Sequence, residues 1–253
     1  MADYDNRLTR TATAGVAAAD AGLRAYMLRV YNYMLVGLGL TGAVAWLTAE
    51  TPLSQIFYSH VQTAGGVMLQ PNILGWISFF APLALVFLMG FRFQQMSLGA
   101  VRGLFWGLAA LMGIQLAMIA FIYTGASIAA TFFVAAAMFG GMSLFGYTTG
   151  RDLTAMGSFM IMGVWGLIIA MLVTMIFPST NSPAVSFVIN ALGVVIFTGL
   201  TAYDTQRIKN FYVVSGGRDA VMEGKAAVMG ALSLYLDFYN MFLFLLRFMG
   251  NRR

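Results

Sequence analysis

Nine carboxylates are spread over 253 residues, and two of them sit where water is scarce. Asp237 is embedded in Leu232-Ser-Leu-Tyr-Leu-Asp237-Phe-Tyr-Asn-Met-Phe-Leu, with no water-exposed escape within a helical turn, so it must be neutral, paired or hydrated. An acid in such an apolar run is costly and marks a functional site by default. Asp204 stands near the end of another apolar run, with Arg207 three positions on, a spacing that allows a same-face ion pair on a helix. Around Asp237, the residues Gly230, Ser233, Asn240 and Arg247 recur at three- and four-residue intervals and form a polar stripe on one helix face. A polar stripe on an apolar helix points inward.

If that stripe faces Asp204, the two carboxyls can share a proton, because like charges a few ångströms apart in a low dielectric cannot both ionise cheaply. The chemistry would be a pH-sensitive latch: closed as a hydrogen bond when protonated, repelling when deprotonated. The open form would present hard oxygens suited to calcium as a permeant or bound ion. Two carboxylates fall short of the six to eight oxygens that calcium takes, so carbonyls, Asn240 or water would have to complete the set. A helix-end salt bridge between Asp204 and Arg207 is the other reading of the same spacing.

Other chemistries lack their residues. There is no cysteine, which removes disulfides, thiol nucleophiles and thiolate metal sites. His60 is the only histidine and falls between apolar runs, which argues against a Ser-His dyad, a multi-histidine zinc site or a histidine proton relay. The only lysines, Lys209 and Lys225, lie outside the apolar runs. Two acids on neighbouring helices would suit an aspartyl intramembrane protease, but no Gly-x-Gly-Asp segment is present. The expectation is a protein that is not an enzyme, carries no resident cofactor and binds no nucleic acid, since no basic-aromatic patch sits in a sizeable soluble region.

The elements that must position these residues are transmembrane helices. Hydrophobic residues make up 60% of the chain and charged residues 9%, against about 25% charged in soluble domains. Lipid offers the backbone no hydrogen-bond partners, and long unbroken apolar runs read as helices rather than barrel strands. The predicted fold is all-α and polytopic, with seven spans of about 20 residues each. They cover residues 31–49, 73–90, 103–123, 127–147, 153–177, 185–203 with a helical continuation toward Lys209, and 227–249. Residues 1–30 read as a cytoplasmic tail rather than a secretory signal, because Asp3 and Asp5 stand where a basic region should. Residues 250–253 form a short C-terminal tail.

Basic residues set the orientation. Arg7, Arg10, Arg24, Arg29, Arg92, Arg102, Arg151, Arg207, Lys209, Arg218 and Lys225 all fall on one side, eleven of the 14 in the chain. This predicts a cytoplasmic N-terminus. Arg247, Arg252 and Arg253 oppose the rule if the last span crosses fully, and a full crossing is the expectation over a re-entrant segment. Residues 50–72 and 210–226 read as loops. Gly99, Gly103 and Gly107, and then Gly146 and Gly150, would let helix backbones approach closely. Pro82 predicts a kink in the second span.

The stretch Gly199-Leu-Thr-Ala-Tyr-Asp204-Thr-Gln-Arg-Ile-Lys209, followed by the sequence around Asp237, resembles the Bax inhibitor-1 family in its bacterial, YccA-like branch. Tyr147-Thr-Thr-Gly-Arg-Asp152-Leu, leading into Met156-Gly-Ser-Phe, is similar to that family's loop and fifth helix. The resemblance runs from the third span to the C-terminus and more loosely through the first two. It implies a bacterial plasma-membrane protein in which the last helix is wrapped by the other six. It also implies a pH-regulated calcium leak controlled by a di-aspartyl pair, matched here by Asp204 and Asp237. An arginine of the second helix can contact the closed latch in this family, and Arg92 is its counterpart by position. A glutamate found within the second helix of some members has no counterpart, as residues 73–90 contain no acid.

The functional expectation is therefore a proton-gated cation leak, calcium preferred, with Asp204 and Asp237 as the gate and Arg92, Arg207, Ser233 and Asn240 in support. The rival expectation is a non-conducting regulator that binds a membrane protease or a stress-response component, the acids only clamping the last helix into the bundle.

Overall fold

A backbone immersed in hydrocarbon must pair its own amides and carbonyls, and this chain does so almost entirely within helices. A computed structural model describes the backbone of residues 2–63, 66–180, 182–215 and 219–252. Side chains are described from residue 20 on, apart from several in a hairpin that include His60. In chain order the elements are α1 (Ala2–Glu50), α2 (Ser54–Phe57), β1 (Tyr58–Thr63), β2 (Gly66–Pro71), α3 (Ile73–Arg92), α4 (Leu98–Ile122), α5 (Gly125–Thr148), α6 (Thr154–Ile176), a 3-10 turn at Pro178–Thr180, α7 (Pro183–Ser215) and α8 (Ala220–Met249). Seven of these, α1 and α3 to α8, are long and apolar enough to cross a bilayer. The expected polytopic all-α architecture is present.

Helix starts follow the capping residues. Asn72, Ser97 and Thr124 each accept a hydrogen bond from the amide three positions on, at Gly75, Ala100 and Ser127. Asp219 accepts from Val221 and Met222. Each cap satisfies amides that the first helical turn leaves open.

The last helix is the central one. Within its apolar window α8 is 72% buried, against at most 33% for any other span. Four helices touch it directly, α1, α4, α5 and α7, while α3 packs outside against α4 and α6 outside against α7. The surround is thus two layers deep on two sides rather than a single ring of six. Leu234, Tyr235, Met241 and Leu246 of α8 have no exposed surface. The lipid-facing surface carries side chains such as Phe80, Phe91 and Trp165.

The structure corrects several expectations. Residues 50–72 are not a plain loop: β1 and β2 pair antiparallel, with Tyr58 opposite Pro71 and Thr63 opposite Gly66. The Tyr58 hydroxyl donates to Ile114 O at 2.5 Å, tying the hairpin to α4, and burial pushes this phenol up to about 12. Residues 210–226 are not a loop either, since α7 runs on to Ser215 and α8 begins at Ala220. Near the N-terminus, the backbone of α1 is already helical at Ala2, so residues 2–30 continue the first span as one helix. Arg24 and Arg29 make that stretch look like a tail, yet both arginines point outward while Tyr26, Met27, Val30 and Met34 pack inward at helical spacing.

A continuous α8 crosses the bundle, and its C-terminal tail is fastened at the far end. Asn251 O accepts from the Thr124 amide at 3.2 Å, and the Asn251 amide donates to Ser127 Oγ at 2.9 Å. Arg252 sits over the Tyr123 ring. Arg247 and Arg252 therefore do stand at or toward the end opposite most of the other described cations. Of the glycines expected at close contacts, Gly103, Gly107 and Gly150 face open space and Gly99 meets only its neighbour Ser97. Gly146 alone of that set fits the expectation, lying against the Ala202 backbone of α7.

α3 continues through Pro82, whose missing amide leaves the Ser78 carbonyl without its helical donor. Gln115 of α4 supplies the replacement: its side-chain amide donates to Ser78 O at 2.9 Å and Phe79 O at 3.0 Å. Gln115→Leu is expected to lower stability by about 1–3 kcal/mol, the cost of an unmet buried carbonyl. In a Pro82→Ala background, where the backbone amide is restored, the same substitution should cost clearly less. Thermal unfolding of the four proteins in detergent measures that coupling. Gly146→Val should destabilise by about 1–3 kcal/mol through overpacking against Ala202, read in the same assay.

Candidate functional site

The inner half of α7 carries more polar side chains than any other buried stretch, and each is used. Thr201 and Thr205 turn their hydroxyls back onto Phe197 O and Thr201 O at 2.8 and 2.7 Å. Gln206 accepts from the Leu153 amide at 2.9 Å and donates to Arg151 O at 2.7 Å. Lys209 donates to Tyr147 O at 2.8 Å. Together these bonds pin α7 to the α5–α6 junction. In that junction the exposed Asp152 accepts from the Thr154 amide and hydroxyl, which hold its carboxyl below the usual carboxylate range.

Asp204 lies on the opposite side of this helix, facing α8. Its side chain is largely buried, and Arg207 Nη2 stands 3.4 Å from its Oδ1. The same guanidinium nitrogen donates to Ser233 Oγ of α8 at 3.1 Å. Arg207 therefore bridges the two helices one turn from Asp237, which is 5% exposed. Asp204 and Arg207 are the charged groups near enough to act on Asp237 electrostatically. Asp237 Oδ2 has no hydrogen-bond partner. Buried polar atoms are nearly always paired, so an orphaned carboxylate oxygen calls for a functional explanation.

A cavity of about 350 Å³ leads to this cluster from the end of the bundle that holds most of the cations. It is lined by Tyr26, Phe93, Phe211 and Met229, with Arg207 and Ser233 on its wall. Beyond Asp237 the bundle closes. Phe238, Tyr239 and Phe242 fill the next two turns of α8, while Tyr235, just before Asp237, has its hydroxyl 2.7 Å from Thr41 Oγ1 of α1. Thr41 in turn donates within 2.9 Å of Gly37 O and Ala109 O. This vestibule reaches the Arg207–Ser233 bridge, and the two aspartates lie behind that bridge, outside the cavity lining.

Sequence reasoning placed Asp204, Asp237, Arg207 and Ser233 in one cluster, and the structure brings these four together. It does not bring the other two. Asn240 donates to Leu236 O of its own helix at 2.9 Å, and Arg92 is exposed at the end of α3, ion-paired with neither aspartate. Arg247 lies over the Phe244 ring further along α8. Among the described residues no group of three or more His, Cys, Asp or Glu side chains could hold a metal ion.

Three polar links near the site were not anticipated. Tyr31 of α1 reaches Ser143 of α5 at 2.6 Å, and Ser143 reaches Thr205 of α7 at 3.1 Å, a hydroxyl chain across three helices. Arg29 pairs with Glu223 at 3.3 Å, tying α1 to the first turn of α8. Lys225 is buried and donates to Gln94 O at 3.2 Å. The hydroxyls gave no signal because Ser, Thr and Tyr are common in membrane helices; the last two were hidden by reading their segment as a loop.

Comparison with known proteins agrees with this arrangement. The family model described as "Inhibitor of apoptosis-promoting Bax1" matches residues 23–253. An uncharacterized protein of Rickettsia prowazekii is 47% identical over the full length of both chains, and one of Caulobacter vibrioides is 45% identical over the same extent. The inner membrane protein YbhL of Escherichia coli is 43% identical over 92% of this chain and 94% of its own. With a seven-helix bundle, a buried pair of acids on its last two helices and this match over almost its whole length, the chain belongs to the Bax inhibitor-1 family.

Proposed function

We propose that the protein is a pH-sensitive cation leak of the bacterial inner membrane, calcium preferred, gated where Asp204 and Asp237 face each other between α7 and α8. The reading is carried by the orphaned oxygen of Asp237 beside the Asp204–Arg207 ion pair, with a cavity reaching as far as Arg207 and Ser233. With one proton on the two carboxyls, the cluster of two acids and one arginine is neutral. Losing that proton leaves a net negative charge in a water-poor layer, and the repulsion favours separating α7 from α8. The separated carboxylates then offer oxygens to a passing divalent cation, with water completing its shell. Two carboxylates suit a transit point better than a resident site. Since α3 carries no acid between Ile73 and Arg92, the charged lining of the path comes from α7 and α8 alone. The excess of Lys and Arg at the vestibule end supports a cytoplasmic position for that end and for the N-terminus, and the relative YbhL, an inner membrane protein, supports the inner-membrane location.

A second reading is favoured by one observation, the dense packing of α8 on either side of Asp237, where Leu234, Tyr235 and Met241 have no exposed surface. There the pair clamps α8 in place, and the chain acts by binding another membrane protein such as a membrane protease.

Liposomes loaded with a calcium indicator separate the two. Flux is expected to rise as pH increases, and Asp204→Asn/Asp237→Asn is expected to conduct with no pH dependence or not at all. Absence of flux at every pH, or flux in the double variant that keeps its pH profile, would exclude the gate and leave the clamp. Arg207→Gln removes the one positive charge that favours ionised carboxyls. Its flux profile should therefore move to more alkaline pH, by about 1 unit or more.

A further inference from the structure

A cavity larger than the vestibule lies on another side of α8. It is a lateral groove of about 630 Å³ between α1 and α5, open toward lipid and floored by Phe139 of α5 and Phe238 of α8. That volume falls in the range of small-molecule and cofactor sites, about 300–1,000 Å³. The two helices that form its walls do not pack along their length. One hydroxyl contact, Tyr31 to Ser143, spans them.

The chemistry of the groove is polarised along its length. Its walls are apolar from Leu38 and Phe132 up to Met27 and Leu144, and Arg24 stands at the rim on the end of the bundle rich in cations. Tyr147 lines the same rim, and Lys209 Nζ sits 5.2 Å above its ring. Arg24 is exposed, and neither Arg24 nor Lys209 has an ion pair among the described residues. Arg24 at the rim and Lys209 beside it, the latter held by Tyr147 O and facing no acid among the described residues, put two positive charges at one end of a long apolar slot, which matches a molecule with an anionic head and a hydrocarbon tail. Basic pockets between transmembrane helices bind anionic lipid headgroups for this reason.

We propose that this groove is a specific site for one anionic phospholipid, its phosphate between Arg24 and Lys209 and one acyl chain along Phe139 and Phe238. The chain fills the opening that α1 and α5 leave and rests on the residue next to Asp237. The assignment is independent of whether the protein conducts.

Gly140 lines the groove with nothing within 4 Å of a Cβ placed there, so Gly140→Trp is the substitution chosen to fill the slot. Native mass spectrometry of the full chain, released from micelles holding equal amounts of phosphatidylglycerol and phosphatidylcholine, reads the site. The unmodified protein should retain one phosphatidylglycerol in preference to phosphatidylcholine. Arg24→Gln and Lys209→Gln should each cut that preference about fivefold, the usual effect of one basic residue near an anionic lipid, with retention of lipid itself persisting. Gly140→Trp should abolish retention of both lipids. Arg24 lies on an exposed helix face, so its variant keeps the test valid if either of the others misfolds. Equal retention of the two lipids by the unmodified protein, or a preference unchanged by Arg24→Gln, would overturn the proposal and assign the groove to non-specific annular lipid.

Discussion

A carboxyl group halfway along the helix that the others most enclose is the constraint around which this bundle is arranged. A helix on the periphery can let a long polar side chain reach for the interface, but α8 cannot, because four neighbours enclose it. Each polar group on α8 must be met by those neighbours or left unmet. Tyr235 is met by Thr41, Tyr239 by Met112 O at 3.4 Å, Lys225 by Gln94 O and Ser233 by Arg207. Asp237 Oδ2 is the exception. Where every other buried donor and acceptor of the helix has found a partner, the one that has not is the place where the closed arrangement is least stable.

The two ends of the bundle are built differently for the same reason. At the hairpin end, the β1–β2 ribbon is fixed to α4 by Tyr58, and the C-terminal tail is hydrogen-bonded across the α4–α5 turn. Phe244 of α8 packs into the notch left by Gly193 of α7 and stacks on Phe197 at 5.8 Å between centroids. At the other end, α7 and α8 extend beyond the apolar layer with their cations and are joined near the acids by the Arg207 bridge and by Ile208 against Gly230. Apolar side chains slide more readily than a ring seated in a glycine notch. The α7–α8 seam is therefore fixed at the hairpin end and freer at the vestibule end.

Much of this was readable from residue types. Seven apolar runs, the inward stripe of Ser233 and Asp237, and the three-residue step from Asp204 to Arg207 all follow from periodicity, because lipid and a 3.6-residue repeat leave few alternatives. What escaped were features that depend on a partner distant in sequence. Asn240 has the right type and lies on the right stripe, yet it satisfies itself on Leu236 O. Arg92 has the right charge and approximate depth, but α3 packs on α4, outside the layer that touches α8. Gly99, Gly103 and Gly107 have the spacing of a packing motif and face open space. Spacing says which residues share a face; only the packing order of the helices says what that face meets. The segments misread as loops failed for a different reason. Charges at Arg24, Arg29, Glu223 and Lys225 interrupt the apolar runs, and in the fold two of them pair with each other while Lys225 finds a carbonyl, so the helices continue through them.

The polar links also divide the bundle into two groups. Thr41 to Tyr235 and Ala109 O, and Arg29 to Glu223, hold α1, α4 and α8 together. Gln206 and Lys209 hold α7 to the α5–α6 junction. Between the groups the polar contacts among the described residues are few: Arg207 to Ser233 on one side, Tyr31 to Ser143 on the other, and the C-terminal tail to Ser127 at the hairpin end. The acids lie at the first of these contacts and the lipid-facing groove at the second. Both occupy the same boundary, approached from opposite sides of α8. A displacement of α5, α6 and α7 as a unit would open the carboxyl pair and change the width of the groove together, because Asp237 and Phe238 are consecutive residues on the helix that both features share.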